Sequence, residues 1–108
     1  MSRLAMKTDD AIRTRYPSLT VRYEVVIDRL RFDFWLPDAN LLVEVQGEQH
    51  NGYVHHFHKT RQGFASAVER DRLKWDIANS VGCDLFEVRS DKDIGRLLDY
   101  IGSKLSWE

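Results

Sequence analysis

The 108-residue chain has one cysteine, Cys83, and no long hydrophobic run. A single cysteine excludes an intrachain disulfide framework and suits a reducing compartment. No apolar stretch approaches the roughly 18 residues of a membrane span, and the opening MSRLAMKTDD lacks the apolar core of a signal peptide. The expectation is a protein of the cytoplasm with no membrane partner. Charge of one sign is also not in excess. With a formal net charge of −1, any contact with nucleic acid must come from a local patch or a bound metal. Repeats, linkers and low-complexity segments are absent as well. What remains is an ordinary globular composition, in a length that fits one domain around one modest core.

The informative stretch is Val21 to His50, VRYEVVIDRLRFDFWLPDANLLVEVQGEQH. LRFDFWL and LLVEVQG read as strands over 30–36 and 41–47, flanking the turn Pro37-Asp38-Ala39-Asn40. Phe32, Phe34 and Leu36 alternate with Arg31, Asp33 and Trp35, so the Phe face is expected to meet a helix. Each strand carries one acid among β-favouring residues, and a carboxylate there is costly to bury without a partner. With Leu36 opposite Leu41, the antiparallel count sets Asp33 opposite Glu44 on one face. Like charges so placed repel, and a cation between them is the usual reason to tolerate the pairing. The strand before, TVRYEVVI over 20–27, is joined through Asp28-Arg29, with Ile27 facing Leu30 and Glu24 facing Asp33. Asp-Arg is not a preferred two-residue loop. Gln46 shares the face of Glu44 by the period of two. Oxygen ligands gathered in this way suit Mg²⁺ or Mn²⁺, which makes Asp33, Glu44 and Glu24 the candidate metal ligands.

The remaining chain supplies helices, a loop and one more strand. Residues 5–15 read as a helix with Thr8 as N-cap and Asp9 and Asp10 as helix-start residues, ended at Tyr16-Pro17. Residues 48–63, EQHNGYVHHFHKTRQG, form a long loop that holds all four histidines. His56 and His58 make an H-x-H pair, but no third ligand has the spacing of a structural zinc site. A DNA-contacting loop fits better, with Lys59 and Arg61 as cations and Tyr53 and Phe57 to stack. Residues 64–80 read as the main helix, with Phe64, Ala67, Val68, Leu73, Trp75, Ile77 and Ala78 as an apolar stripe. Arg70, Asp71, Arg72 and Lys74 near its middle form either a solvated face or the wall of a basic groove. The candidate DNA contacts are thus His55, His56, His58, Lys59, Arg61, Arg70 and Lys74. A fourth strand is expected over 84–89, and a terminal amphipathic helix over 91–105, weakened by Gly95 and Gly102. Trp35, Leu42 and Trp107 are available for a homodimer interface. The expected fold is α+β: a mixed, mostly antiparallel four-stranded sheet flanked by helices.

The run RFDFWLPDANLLVEVQGEQH, followed by a loop and then ERDRLKWDIANSVGCDLFEVR, resembles the PD-(D/E)XK nuclease superfamily. The likeness is strongest to the small branch around very-short-patch repair endonucleases and related phage or homing endonuclease domains, and it covers roughly residues 20–90. It implies a restriction-endonuclease-like core and a Mg²⁺-dependent DNA endonuclease, with Mn²⁺ able to substitute. Asp33 matches the family's metal-binding aspartate and Glu44 its second acid. The family lysine, two residues on, is replaced by Gln46, which can orient water but carries no positive charge. His50 matches the histidine after the glycine, and its ordinary pKa near 6.5 suits a general base or acid. Asp71 corresponds to the branch's helix aspartate, while its N-terminal glutamate is missing. Asp33, Glu44, Gln46, His50 and Asp71 are therefore the catalytic candidates, with specificity left to DNA structure, dimerisation or a partner protein. The competing reading is a non-catalytic DNA-binding or assembly module that keeps the fold, motivated by the missing lysine.

Overall fold

The computed structural model of the chain describes residues 1–46 and 61–106. Helix α1 (Arg3–Arg15) precedes strands β1 (Arg22–Ile27), β2 (Leu30–Leu36) and β3 (Leu41–Val45). Helix α2 (Arg61–Ser80), strand β4 (Asp84–Val88) and helix α3 (Asp91–Leu105) complete the order. The strands form one mixed sheet in the order β1-β2-β3-β4, with β3 and β4 parallel and the other two pairings antiparallel. The chain is thus α+β, with a four-stranded mixed sheet flanked by helices, as its pattern of elements predicts. No helix among the described residues is long and apolar enough to cross a membrane.

Turn chemistry accounts for the hairpins. Asp28 and Arg29 both sit at positive φ, 50° and 74°, so this pair makes a two-residue loop that sets Ile27 opposite Leu30. Between β2 and β3, Pro37–Ala39 form a short 3-10 turn and Asn40 takes the left-handed conformation that asparagine tolerates. Leu36 then faces Leu41. At the far end of α2, Gly82 at φ 75° lets the chain reverse into β4.

Both sheet faces are covered. α1 and α3 cover one, where Ile12, Phe34, Leu36, Leu41, Val43, Val88, Leu97 and Ile101 are buried together. On the other, Phe32, Leu42, Ala78 and Leu85 form a smaller cluster with Trp35 and Ile77. Burial on both faces explains why Leu41, Leu42, Val43 and Glu44 are all buried in succession. Phe32 departs from strict alternation: it packs on the α2 side, whereas Phe34 and Leu36 pack on the α1–α3 side. The face switches at Asp33, directly across from Glu24, whose φ of 49° breaks the extended conformation of β1. Leu42 is fully buried, so it is core and not dimer surface; Trp107 lies outside the described residues.

Two helix readings are corrected. The cap of α1 is Ser2, whose hydroxyl accepts from the Ala5 N–H at 3.1 Å. Thr8 is buried inside the helix and donates to the Leu4 carbonyl at 2.8 Å. Asp9 consequently sits mid-helix, where it accepts from the Tyr23 hydroxyl at 2.7 Å. Among the described side chains of α2, residues 68–80, burial is confined to the last turns, and those of Phe64 and Ala67 lie outside the described residues. Ala78 is buried and Ile77 packs beside it, but Val68, Leu73 and Trp75 are exposed by 44%, 45% and 48%, so these three members of the expected apolar stripe are not on a core face.

The glycines of α3 differ in kind. A methyl group at Gly102 would stand 2.7 Å from the Tyr16 hydroxyl, which donates to the Leu98 carbonyl at 2.8 Å, whereas a methyl at Gly95 meets nothing within 4 Å. Gly95→Ala is expected to stabilise the fold by about 1 kcal/mol through helix propensity. Gly102→Ala should forfeit that gain by displacing Tyr16. Thermal melts of the two variants check this: only Gly95→Ala should raise Tm, by about 4 °C or more.

Candidate functional site

Backbone pairing of β2 with β3 runs from Leu36–Leu41 to Phe34–Val43. The next positions in that register are Asp33 and Glu44, at the level predicted by counting back from the turn. There the acids themselves continue the ladder. The Asp33 N–H donates to Glu44 Oε1 at 3.1 Å, and the Val45 N–H donates to Asp33 Oδ2 at 2.7 Å. Each carboxylate therefore takes an amide of the opposite strand, in place of a backbone carbonyl. Such bonds to a charged acceptor contribute about 1.5–3 kcal/mol each.

A cation does stand at this pair, and it belongs to the protein. Lys74 Nζ donates to Glu44 Oε2, with the two side chains only 16% and 10% exposed. The same ammonium lies 5.6 Å from the centre of the Phe32 ring. Lys74 thus faces the sheet and the Phe32 ring, and is not on an open, solvated face of α2. Burial pushes the Glu44 pKa up, and the neighbouring Asp33 charge adds to that; the Lys74 ammonium and the Asp33 N–H pull the other way without reversing it.

The third strand of the site is β4. In the parallel register Glu44 neighbours Glu87, and the Gln46 N–H donates to the Val88 carbonyl at 2.8 Å. Gln46 is buried, and its Nε2 donates to Glu87 Oε2 at 3.1 Å. Arg89 donates to the same oxygen at 3.0 Å. Glu44, Gln46, Asp71, Lys74, Trp75, Leu85 and Glu87 line one shallow cleft between the sheet and α2. Asp71 and Lys74 share it because they are three residues apart on one helix face.

The structure thus brings together Glu44, Gln46, Asp71 and Lys74 around this cleft, with Asp33 bonded to Glu44 through its backbone. Glu24 does not join them. Its positive φ turns it out to Arg31, 3.3 Å away, with its side chain 64% exposed. Arg70 is exposed on α2. His50, His55, His56, His58 and Lys59 lie outside the described residues, as does the side chain of Arg61. Among the described residues, no group of three or more acids, histidines or cysteines is gathered as a ready metal cage. The hard-oxygen donors on the two neighbouring strands are the carboxylates of Asp33 and Glu44, of which Asp33 Oδ2 and both Glu44 oxygens already accept bonds from Val45, Asp33 and Lys74. Glu87 was missed by sequence reasoning. Pairing β4 beside β3 in parallel, as the intervening helix allows, would have set it next to Glu44.

No family model matches the chain, and no solved structure matches it. The chain is similar to "Uncharacterized protein 307L" of Invertebrate iridescent virus 6, with 37% identity over 59 residues. That match covers 55% of this chain and 30% of the viral protein, so the chain spans less than a third of the curated relative it matches.

Because the folded-state pKa of Glu44 is raised, the folded protein keeps a proton that the unfolded chain has already lost. Stability is accordingly expected to fall as pH rises from the ordinary glutamate value, about 4.3, through the folded-state value of Glu44. Urea unfolding across this range should show that slope in the wild type and lose it in Glu44→Gln. In Lys74→Met the removed ammonium should move the Glu44 carboxyl titration, followed by ¹³C NMR, to still higher pH.

Proposed function

We propose that the chain is a metal-dependent DNA endonuclease domain of the PD-(D/E)XK type, acting on DNA inside the cell. The observation that carries this reading is the Asp33–Glu44–Lys74 arrangement: two acids on adjacent strands, cross-bonded and rigid, with a lysine held against the second. Asp33 and Glu44 are the residues that would hold Mg²⁺ or Mn²⁺. The chemistry such an ion supplies is polarisation of a phosphoryl oxygen and acidification of a water.

The other residues then divide the work. The resemblance leaves the lysine position two residues after Glu44 filled by Gln46, which brings no charge. Lys74 reaches the same carboxylate from α2 and brings that charge to the cleft. An ammonium there can donate to a phosphate oxygen and offset the charge that builds up as the phosphodiester is attacked. Asp71, one turn from Lys74, adds a carboxylate to the same wall. Arg70 and Arg72 are exposed on the helix that carries both, giving a duplex a local cationic approach on a chain of nearly neutral net charge.

One observation favours the second reading, a DNA-binding or assembly module without catalysis. Asp33 Oδ2 and both oxygens of Glu44 already serve the fold, through Val45, Asp33 and Lys74. Acids retained only for those bonds would also look like this.

Incubation with supercoiled plasmid and a four-way junction, with Mg²⁺ or Mn²⁺ and with EDTA controls, separates the two. The nuclease should cut in the presence of metal, and Asp33→Ala, Glu44→Ala and Lys74→Met should each lower the rate by about 10²-fold or more. A wild type that cuts neither substrate from neutral to alkaline pH, with Asp33→Ala leaving DNA affinity unchanged, would overturn the nuclease reading in favour of the module.

A further inference from the structure

Glu87 is an expensive residue where it stands. It is the parallel neighbour of Glu44 on β4, its side chain is only 20% exposed, and like charges on neighbouring strands repel. Two donors converge on one of its oxygens, Gln46 Nε2 at 3.1 Å and Arg89 at 3.0 Å. Arg89 offsets the charge. The bond to Gln46 has a different consequence, because a carboxylate can only accept. A glutamine facing it must present its NH₂ group. The two ends of this amide are therefore assigned by chemistry: Glu87 takes the NH₂ end, and the carbonyl oxygen is the end left for other partners in the cleft that Gln46 shares with Glu44, Lys74 and Glu87 itself.

We infer that Glu87 is a positioning residue, which holds the Gln46 amide with its oxygen towards the cleft and so makes position 46 a hydrogen-bond acceptor. This rests on the nuclease reading above and deepens it. Phosphate oxygens are acceptors too, so an acceptor at position 46 has no bond to offer them. It can take a proton donor, and in a phosphodiester-hydrolysing cleft the donor that needs orienting is the attacking water. The lysine of the family pattern combines cationic charge and water contact in one side chain. Here the two are split: Lys74 brings the charge from the helix, and Gln46, aimed by Glu87, brings the acceptor from the strand.

The test uses Glu87→Gln, which keeps size and shape but can offer either end of an amide, and Glu87→Asp, which keeps an acceptor-only group. In ¹⁵N-labelled wild type, the Gln46 side-chain NH₂ pair, assigned by its loss in Gln46→Met, should show one proton shifted downfield and slow to exchange. Glu87→Gln, whose amide oxygen is a weaker, uncharged acceptor and can be swapped for its NH₂ end, should weaken that signature, and Glu87→Asp should retain it. In the cleavage assay Glu87→Gln should lower kcat by about 10²-fold with KM for DNA little changed, and Glu87→Asp should recover part of the loss. An unprotected NH₂ pair in the wild type, or a Glu87→Gln variant that weakens the signature yet cuts at the wild-type kcat, would overturn the inference while leaving the nuclease reading intact. A wild type that shows the protected amide and cuts nothing would instead overturn the nuclease reading, and with it the role given to the oriented amide.

Discussion

Two crossed hydrogen bonds, from the Asp33 amide to Glu44 and from the Val45 amide to Asp33, are the constraint on which the site depends. An antiparallel ladder normally closes with backbone carbonyls. Here side-chain oxygens take the amides, so the two strands stay tied beyond Phe34–Val43 although their backbones no longer pair. Each acid is held by the strand that carries the other. Moving either one breaks a charged bond and leaves a half-buried amide unpaired, which costs about 1–3 kcal/mol. The same point is where β2 changes faces. Phe32 turns to the α2 side, meets Ala78 and Leu85, and comes under the Lys74 ammonium. The interruption in the ladder thus also brings α2 and its lysine to the acids.

Such an arrangement is poor as a device for stability. Glu44 is buried at 7% exposure, and its pKa is raised because desolvation, with the Asp33 charge beside it, prevails over Lys74 and the Asp33 amide. An apolar residue at position 44 would continue the Leu41–Val43 run at lower cost. A buried pair of this kind is weak evidence for stability, yet losing one partner costs about 3–5 kcal/mol, since the other charge is then stranded. A carboxylate at the fourth position of the most buried strand departs from what packing alone selects.

Much of this was legible in the chain. Period-two alternation, the Pro37–Asn40 turn and the count back from Leu36–Leu41 placed Asp33 level with Glu44. Ile27 opposite Leu30 followed from a two-residue loop even though Asp-Arg is a poor turn pair, because the flanking strands dictate the loop length. What escaped had physical reasons. The face of Phe32 could not be read, because a switch in β2 depends on the left-handed Glu24 across from it, and glutamate gives no sign of adopting that conformation. The same conformation removed Glu24 from the row of acids. The stripe on α2 was misjudged because periodicity reports amphipathicity and not how much of a helix lies over the sheet: Ala78 is buried while Val68 and Trp75 are outside. Thr8 looked like a cap because threonine favours caps, but its hydroxyl can equally bond back to the preceding turn and leave its methyl in the core.

The pairing of Lys74 with Glu44 was the hardest element to foresee, because it joins two separate elements of the fold. A lysine on β3 two residues beyond Glu44 would share its face, a relation visible in the sequence. A lysine on α2, 30 residues away, reaches that face only if the helix crosses the sheet with the right turn inward. The crossing is set by the small cluster of Phe32, Leu42, Ala78 and Leu85, four residues that look like ordinary core. Ala78 is one turn beyond Lys74, so the contact that docks the helix also aims the ammonium. The charge beside Glu44 is in this way secured by packing, while the neutral amide of Gln46 donates to Glu87 on β4.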